Sequence, residues 1–342
     1  MTAQAPKKIL VFGATGVIGK YILQEIVNAR SSFDKIGLFT SPSTVENKSE
    51  EIQKWRDEGV DVIVGDVSSE EDVEKAYQGK PAIHREVPTR QDGNRVGSQT
   101  KTCSSCTGYD TVVSALGRNA ILGQIPLVKA AEASSSIQYF YPSEYGTDIE
   151  YGPASATEKP HQLKLQVRKY IRENVKSLNV TYLVTGPYSD LYLAPCQDHR
   201  AGSFNVKERK ATLLGTGEEK VSFTTMRDVG RLLVAALQTP TTSSERVLKV
   251  NSFTTTSKAA LAEFEQQTGE KWDATYTGLE DLKSLEKEAW EKDSGLKTVY
   301  TLRRIWTEGG TLYETRDNSK IGLDAKLETL ADQVKKAIAT HG

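Results

Sequence analysis

Ile9-Leu-Val-Phe-Gly13-Ala-Thr-Gly16-Val-Ile-Gly19 is the stretch on which the reading of this chain turns. Residues 7–12 concentrate Ile, Leu, Val and Phe, three glycines follow at even spacing, and residues 20–29 then carry apolar side chains at helical intervals. That pattern predicts a buried parallel strand, a tight turn and a helix. Gly13 permits the sharp reversal, Gly16 lets backbone N–H groups approach a pyrophosphate with no Cβ between them, and Gly19 lets the helix pack close to its strand. The positive end of the helix dipole faces the same place. Gly13, Thr15, Gly16, Val17, Ile18 and Gly19 are therefore candidate dinucleotide contacts. Glycines at this spacing also arise in plain tight turns, and the flanking strand and helix separate the two cases.

The spacing is G-x-x-G-x-x-G, the form found in short-chain and extended dehydrogenases. Lys35–Thr40 reads as the second strand, whose end ordinarily carries a carboxylate for the ribose 2′-OH of NAD. None stands there. Thr40, Ser41, Ser43 and Thr44 offer hydroxyls and Lys48 a cation, so a 2′-phosphate meets donors and no repelling charge, which favours NADPH. The same residues would also make an ordinary solvated turn.

A chain of 342 residues can bury a doubly wound sheet and still carry a smaller second lobe. Its 44 basic and 45 acidic side chains nearly cancel, which leaves no basic field for nucleic acid or an anionic membrane. No apolar run reaches membrane-spanning length and the first residues are polar, so a cytoplasmic protein is expected. Three cysteines suit a reducing compartment, and no cluster suggests a metal.

Strand-like and helix-like segments alternate through residue 185, with strands expected at 60–64, 109–116, 138–141 and 180–185 and helices at 46–58, 68–77, 121–133 and 161–173. Such alternation predicts an α/β Rossmann fold, a doubly wound parallel sheet with right-handed crossovers and ligands at the carboxyl ends of the strands. Ala115, Leu116, Gly117, Glu144, Tyr145, Gly186 and Tyr188 join the glycine turn along that edge. We expect residues 1–186 to form the cofactor domain and 187–342 a smaller C-terminal substrate lobe, with about 222–250 returning to the main domain. The helix at 327–338 is expected to serve packing.

Residues 80–108 break this rhythm: they are polar, aperiodic and hold Cys103 and Cys106. So long an irregular segment is unusual inside a compact domain. A surface insertion, a Cys-x-x-Cys site and translated non-coding sequence are the three readings, and the third is preferred. Gly79-Lys80 can be encoded GGTAAG, which contains a splice-donor sequence, and Thr107-Gly108 can be encoded ACAGGN, which contains an acceptor. Excision between them keeps the frame and joins Gly79, a natural helix cap, to Tyr109.

Short-chain dehydrogenases use Tyr-x-x-x-Lys for proton transfer, and no tyrosine here has a lysine four residues on. The chain has instead Tyr139-Phe-Tyr-Pro-Ser-Glu-Tyr-Gly-Thr-Asp148 and then Glu158-Lys-Pro-His-Gln-Leu-Lys164-Leu-Gln-Val-Arg-Lys169. With the glycine turn, these segments resemble the isoflavone reductase and phenylcoumaran benzylic ether reductase group of the NmrA-like, atypical short-chain dehydrogenase family, and fungal isoflavone-reductase-like proteins in particular. The resemblance covers nearly everything outside residues 80–108. It implies NADPH, a small aromatic or polyketide-like substrate, and a lysine acting at the nicotinamide, which the Val-Arg match carries onto Lys164. Two departures stand out: the second strand ends in Thr40 where the plant enzymes have arginine, and Thr185-Gly-Pro-Tyr-Ser-Asp190 differs from their asparagine-containing loop.

On a helical wheel Leu163, Val167, Tyr170 and Ile171 form the buried stripe, and Lys164 lies at its edge, able to reach a cleft. Arg168, Lys169 and Arg172 read as solvated charges, and His161, three residues before Lys164 on the same face, reads as a proton relay or, in preference, as a surface residue at the helix start. Glu144 reads as either a substrate anchor or a structural hydrogen-bond partner. Tyr145 is a substrate candidate, and Tyr188 reads as a wall of the nicotinamide pocket or as packing. The expected function is an NADPH-dependent reductase acting on a small molecule, with Lys164 catalytic; the rival is a non-catalytic NAD(P) sensor of the NmrA-like type that binds a protein partner.

Overall fold

The computed structural model describes residues 4–80, 108–323 and 327–342. The Cys103-Ser-Ser-Cys106 segment and most of the odd stretch lie at 81–107, outside the described residues.

The first half alternates as β1 (Lys8–Phe12), α1 (Gly19–Asn28), β2 (Lys35–Thr40), α2 (Pro42–Asn47), α3 (Ser49–Asp57), β3 (Asp61–Val64) and α4 (Glu70–Tyr77). It continues with β4 (Thr111–Ser114), α5 (Gln124–Ala133), β5 (Tyr139–Tyr141), α6 (Gln162–Asn174) and β6 (Asn179–Val184). Two expected helices differ in detail. The helix expected at 46–58 is two, because Ser41 accepts from the Thr44 N–H and Pro42 follows it, which starts a turn early. The one expected from 121 begins at Gln124, behind a 3₁₀ segment (Arg118–Gly123), which puts Pro126 in the first turn where its missing N–H costs nothing.

Beyond β6 come α7 (Ser189–Tyr192), β7 (Ser203–Asn205), β8 (Lys210–Leu214), β9 (Val221–Phe223), α8 (Met226–Gln238), β10 (Glu245–Lys249) and β11 (Phe253–Thr255). Then follow α9 (Ser257–Thr268), β12 (Asp273–Thr277), α10 (Leu279–Glu291), α11 (Lys297–Thr307) and α12 (Leu330–His341). Among the described residues the main sheet has seven strands in the order β10-β6-β5-β4-β1-β2-β3, all parallel. This is the Rossmann-type order, and the chain reverses direction across the sheet between β1 and β4, which opens a crevice at their carboxyl ends.

Burial on both faces explains the apolar run in β1. Ile9 and Val11 pack on one side with Ile22, Leu23, Trp55 and Leu233, while Leu10 and Phe12 pack on the other with Val73, Tyr77, Leu127 and Val167. The later segments build a three-stranded sheet, β12-β8-β7, and a β9–β11 pair around a core that includes Phe204, Phe264 and Trp272. Thr329 and Asp332 cap α12 reciprocally, so the helix starts at Leu330 and turns Val334 and Ala337 into that core.

Candidate functional site

The glycine turn is built by close approach. Gly13 has φ +75°, and a Cβ there would stand 2.6 Å from the Ala115 carbonyl oxygen; one on Gly19 would stand 2.0 Å from the Gly13 oxygen. These two glycines let β1, α1 and the end of β4 touch, and they lie behind the crevice. Gly16, Val17 and Ile18 border it, facing Ala115, Leu116 and Gly117. α1 begins there with no side-chain cap and no acidic residue in its first turn, so the positive end of the helix is left to whatever occupies the crevice.

Thr40, buried at the end of β2, and Lys48 lie outside the crevice lining. Lys48 nevertheless reaches back to the glycine turn, its Nζ 2.6 Å from the Thr15 carbonyl oxygen and 3.7 Å from Glu51. The serines and threonines after β2 form a mutually bonded cap, Ser41 Oγ lying 2.9 Å from both Ser43 Oγ and Thr44 Oγ1.

Lys164 stands on α6, half-buried, and its Nζ donates to the Glu144 carbonyl oxygen at 2.5 Å. Burial pushes its pKa below the ordinary lysine value; the Glu144 charge pulls it back, and those of Arg118 and Arg168 push it down further. One turn on, Arg168 is a correction to the sequence reading: it is fully buried, not solvated. Its Nε donates to Glu144 Oε1 at 3.1 Å and its Nη1 to Glu150 Oε2 at 2.6 Å, with the guanidinium 4.5 Å from the Tyr182 ring centre. Arg172 continues the row, bonding Glu150 and Glu245. The wheel shows which side chains share a face but not the carboxylates that the loop after β5 and β10 bring to this row. Arg172 and Arg168 hold Glu150 down at about 2 against its burial.

His161 is a second correction. It is buried, with Nδ1 3.3 Å from the Ser155 oxygen and Nε2 without a partner, and burial lowers its pKa. Leu163, expected in the core, is instead exposed along the crevice, since the helix turns its charged row inward.

Glu144, Tyr145, Lys164, Gly186 and Tyr188 border one cavity with the glycine turn, about 670 Å³ in volume, within the usual size of a ligand site. The Glu144 carboxylate is directed at Arg168, and the Tyr188 hydroxyl donates to the Tyr145 carbonyl. Gly186 is held at φ +68° with its N–H on the Gly146 oxygen, and a Cβ there would stand 2.3 Å from the Ser222 oxygen. Sequence reasoning missed the far wall: Arg118, Leu191, Tyr192, Arg303 and Trp306 also border the cavity. Trp306 donates from Nε1 to Thr147 Oγ1 at 2.9 Å, tying α11 to the loop after β5. No local motif marks α11, whose apolar spacing is that of any packed helix. Cys196 is a free, half-buried thiol on the same wall. Among the described residues no group of three metal-ligating side chains converges, and no helix is long and apolar enough to cross a membrane.

An isoflavone reductase homolog of Arabidopsis thaliana is 25% identical over 82% of this chain and 81% of its own length. The isoflavone reductase of Pisum sativum is 24% identical over 90% of this chain and 89% of its own. Among solved structures, a binary complex of leucoanthocyanidin reductase with NADPH from Vitis vinifera superposes with a TM-score of 0.73 at 18% identity, covering 97% of this chain and 99% of that one. The NmrA-like family model matches residues 5–303, and the chain accordingly belongs to the NmrA-like family.

Proposed function

We propose that this protein is an NADPH-dependent reductase of a small aromatic or secondary-metabolite-like substrate. The observation that carries the reading is one cavity that joins an uncapped helix N-terminus to a half-buried lysine with a depressed pKa. The relatives named isoflavone reductase, and the leucoanthocyanidin reductase solved with NADPH, support it.

The residues present fit the cofactor. Val17, Ile18 and the α1 N-terminus offer backbone N–H groups to a diphosphate, Gly16, whose own N–H closes the turn onto the Gly13 oxygen, puts no Cβ in the way, and Gly117, where a Cβ would meet nothing within 4 Å, leaves space beside them. Thr40, the Ser41–Thr44 hydroxyls and Lys48 would hold the 2′-phosphate end. Bound there, the nicotinamide supplies a hydride.

The chain's own part is proton handling and positioning. The Glu144 carbonyl fixes the Lys164 ammonium at the cavity wall, and Arg168 in turn fixes Glu144 from below. A lysine so held places positive charge and a transferable proton beside an oxygen that becomes negative during reduction. Tyr188, pinned through its hydroxyl, shapes the wall and with Gly186 closes the nicotinamide side. We further propose that residues 1–186 form the cofactor domain, that 187–342 supply the substrate lobe with 222–250 returning to the first, and that residues 80–108 are dispensable.

Lys164→Ala tests the assignment. Turnover on a panel of aromatic enones and benzylic ethers should fall about 10²- to 10⁴-fold with NADPH affinity nearly unchanged. Wild-type turnover should also decline as pH rises through the lysine's folded pKa, below the 10.5 of the free side chain. Tight NADPH binding with no turnover, indifferent to Lys164→Ala, would favour the sensor reading.

A further inference from the structure

Arg303 on α11 is 4% exposed and borders the cavity that holds Lys164. Its surroundings do not neutralise it. The guanidinium lies over the Tyr192 ring, 3.9 Å from the centre, with Trp306 at 5.5 Å. Among the described residues Nη2 makes only a long bond of 3.4 Å to the Leu191 oxygen, and Nη1 has no partner. Among the described residues, the deeply buried Arg168 has Glu144 and Glu150, and neighbouring Arg304 has Glu158 and Glu286, whereas no carboxylate pairs with Arg303.

Aromatic faces offset part of the cost of burying a cation, but hydrogen bonds and a counter-charge offset far more. Burial also presses the Arg303 pKa downward, yet an arginine stays protonated under any ordinary condition. The cavity cannot supply the missing charge itself. Among the described residues Glu144 is the one carboxylate on its wall and is already engaged by Arg168, while Lys164, Arg118 and Arg303 are all cationic. Around these cations the wall is apolar, with Tyr192, Trp306, Leu191 and Leu302.

We propose that Arg303 is the specificity anchor for a substrate that is an aromatic or conjugated acid, its carboxylate received by the guanidinium while its apolar part lies against Trp306 and Leu191. An arginine fork suits a carboxylate's two oxygens, and the charge it neutralises is absent from the free protein. This deepens the reductase reading and rests on it for where the substrate lies, while its test is a binding measurement.

The full-length protein saturated with NADP⁺ is titrated calorimetrically with cinnamate and with methyl cinnamate, as wild type, Arg303→Met and Arg303→Lys. The acid should bind on the order of tenfold or more tighter than the ester to wild type, Arg303→Met should lose that preference, and Arg303→Lys should keep part of it. The ligand-free Arg303→Met protein should melt at or above the wild-type temperature, because a buried unpaired charge has gone. Equal affinities for acid and ester in wild type, or an acid preference surviving in Arg303→Met, overturn the proposal. Loss of NADP⁺ affinity in Arg303→Met would assign the residue to the cofactor and overturn it too. Should wild type fail to bind NADP⁺, the reductase reading falls, and the acid–ester comparison on cofactor-free protein still decides the anchor.

Discussion

Arg168 and Arg303 are both buried, and both sit on helices that border the cavity, yet their surroundings are opposite. Arg168 lies under Lys164 with a carboxylate on each side and an aromatic ring beneath, part of a row that runs through Arg172 to Glu245. Arg303 has rings but, among the described residues, no acid. A cation matched by fixed carboxylates is scaffold: it sets the position of the Glu144 backbone and, through it, Lys164. One left unmatched at a cavity wall is available to a ligand, and the protein bears that cost until one arrives.

Breaking the matched side should have the largest effect. Arg168→Met leaves Glu144 and Glu150 without their common partner and should lower unfolding free energy by about 3–5 kcal/mol in denaturant melts. A loss below about 1 kcal/mol would mean that the row contributes little. The contrast sharpens with Arg303→Met, for which no loss is expected.

Acid probes the same row without mutation. Glu150 is held at about 2 in the folded chain, below its ordinary 4.5, so its contribution is present above 4.5 and drains away as pH falls toward 2. Melting temperature followed across that window should drop, and the drop should shrink in Arg172→Gln.

Lys48→Glu addresses the cofactor end, where charge is exposed and effects are smaller. It should weaken NADPH about tenfold while leaving NADH nearly unchanged, measured by fluorescence titration. Equal weakening of both would place Lys48 away from the 2′-phosphate.

The smallest change is expected from removing residues 80–108. The flanks already meet: the Tyr109 N–H donates to the Tyr77 oxygen at 2.8 Å, and Gly79 is at φ +70°. Joining Gly79 to Tyr109 would make that bond a tight turn, so the shortened chain should fold and gain at most about 2 kcal/mol from the lost loop-closure cost. Failure of the deletion to fold would show the segment to be integral.

The local half of the site was open to reading because it is local. Gly13, Gly16 and Gly19 act through backbone geometry within one strand-turn-helix unit, and Lys35–Thr40 was found to the residue because burial on both faces leaves a continuous apolar run. Lys164 needed the family resemblance, since the wheel places it only at the edge of the buried stripe and gives it no chemical role. Arg168 and His161 were misread for a physical reason: a helical wheel records which residues share a face, whereas the partners that cover these side chains, the Glu144 and Glu150 carboxylates and the Ser155 carbonyl, come from other segments.

What the chain's order of residues determined alone was the parallel α/β sheet, its glycine turn and the absence of the Tyr-x-x-x-Lys dyad, all matters of short-range pattern. Which cations are neutralised, and that α11 closes the cavity with Arg303 and Trp306, was decided only on folding. Electrostatic partnership depends on distance in space, and spacing along a sequence carries no record of it.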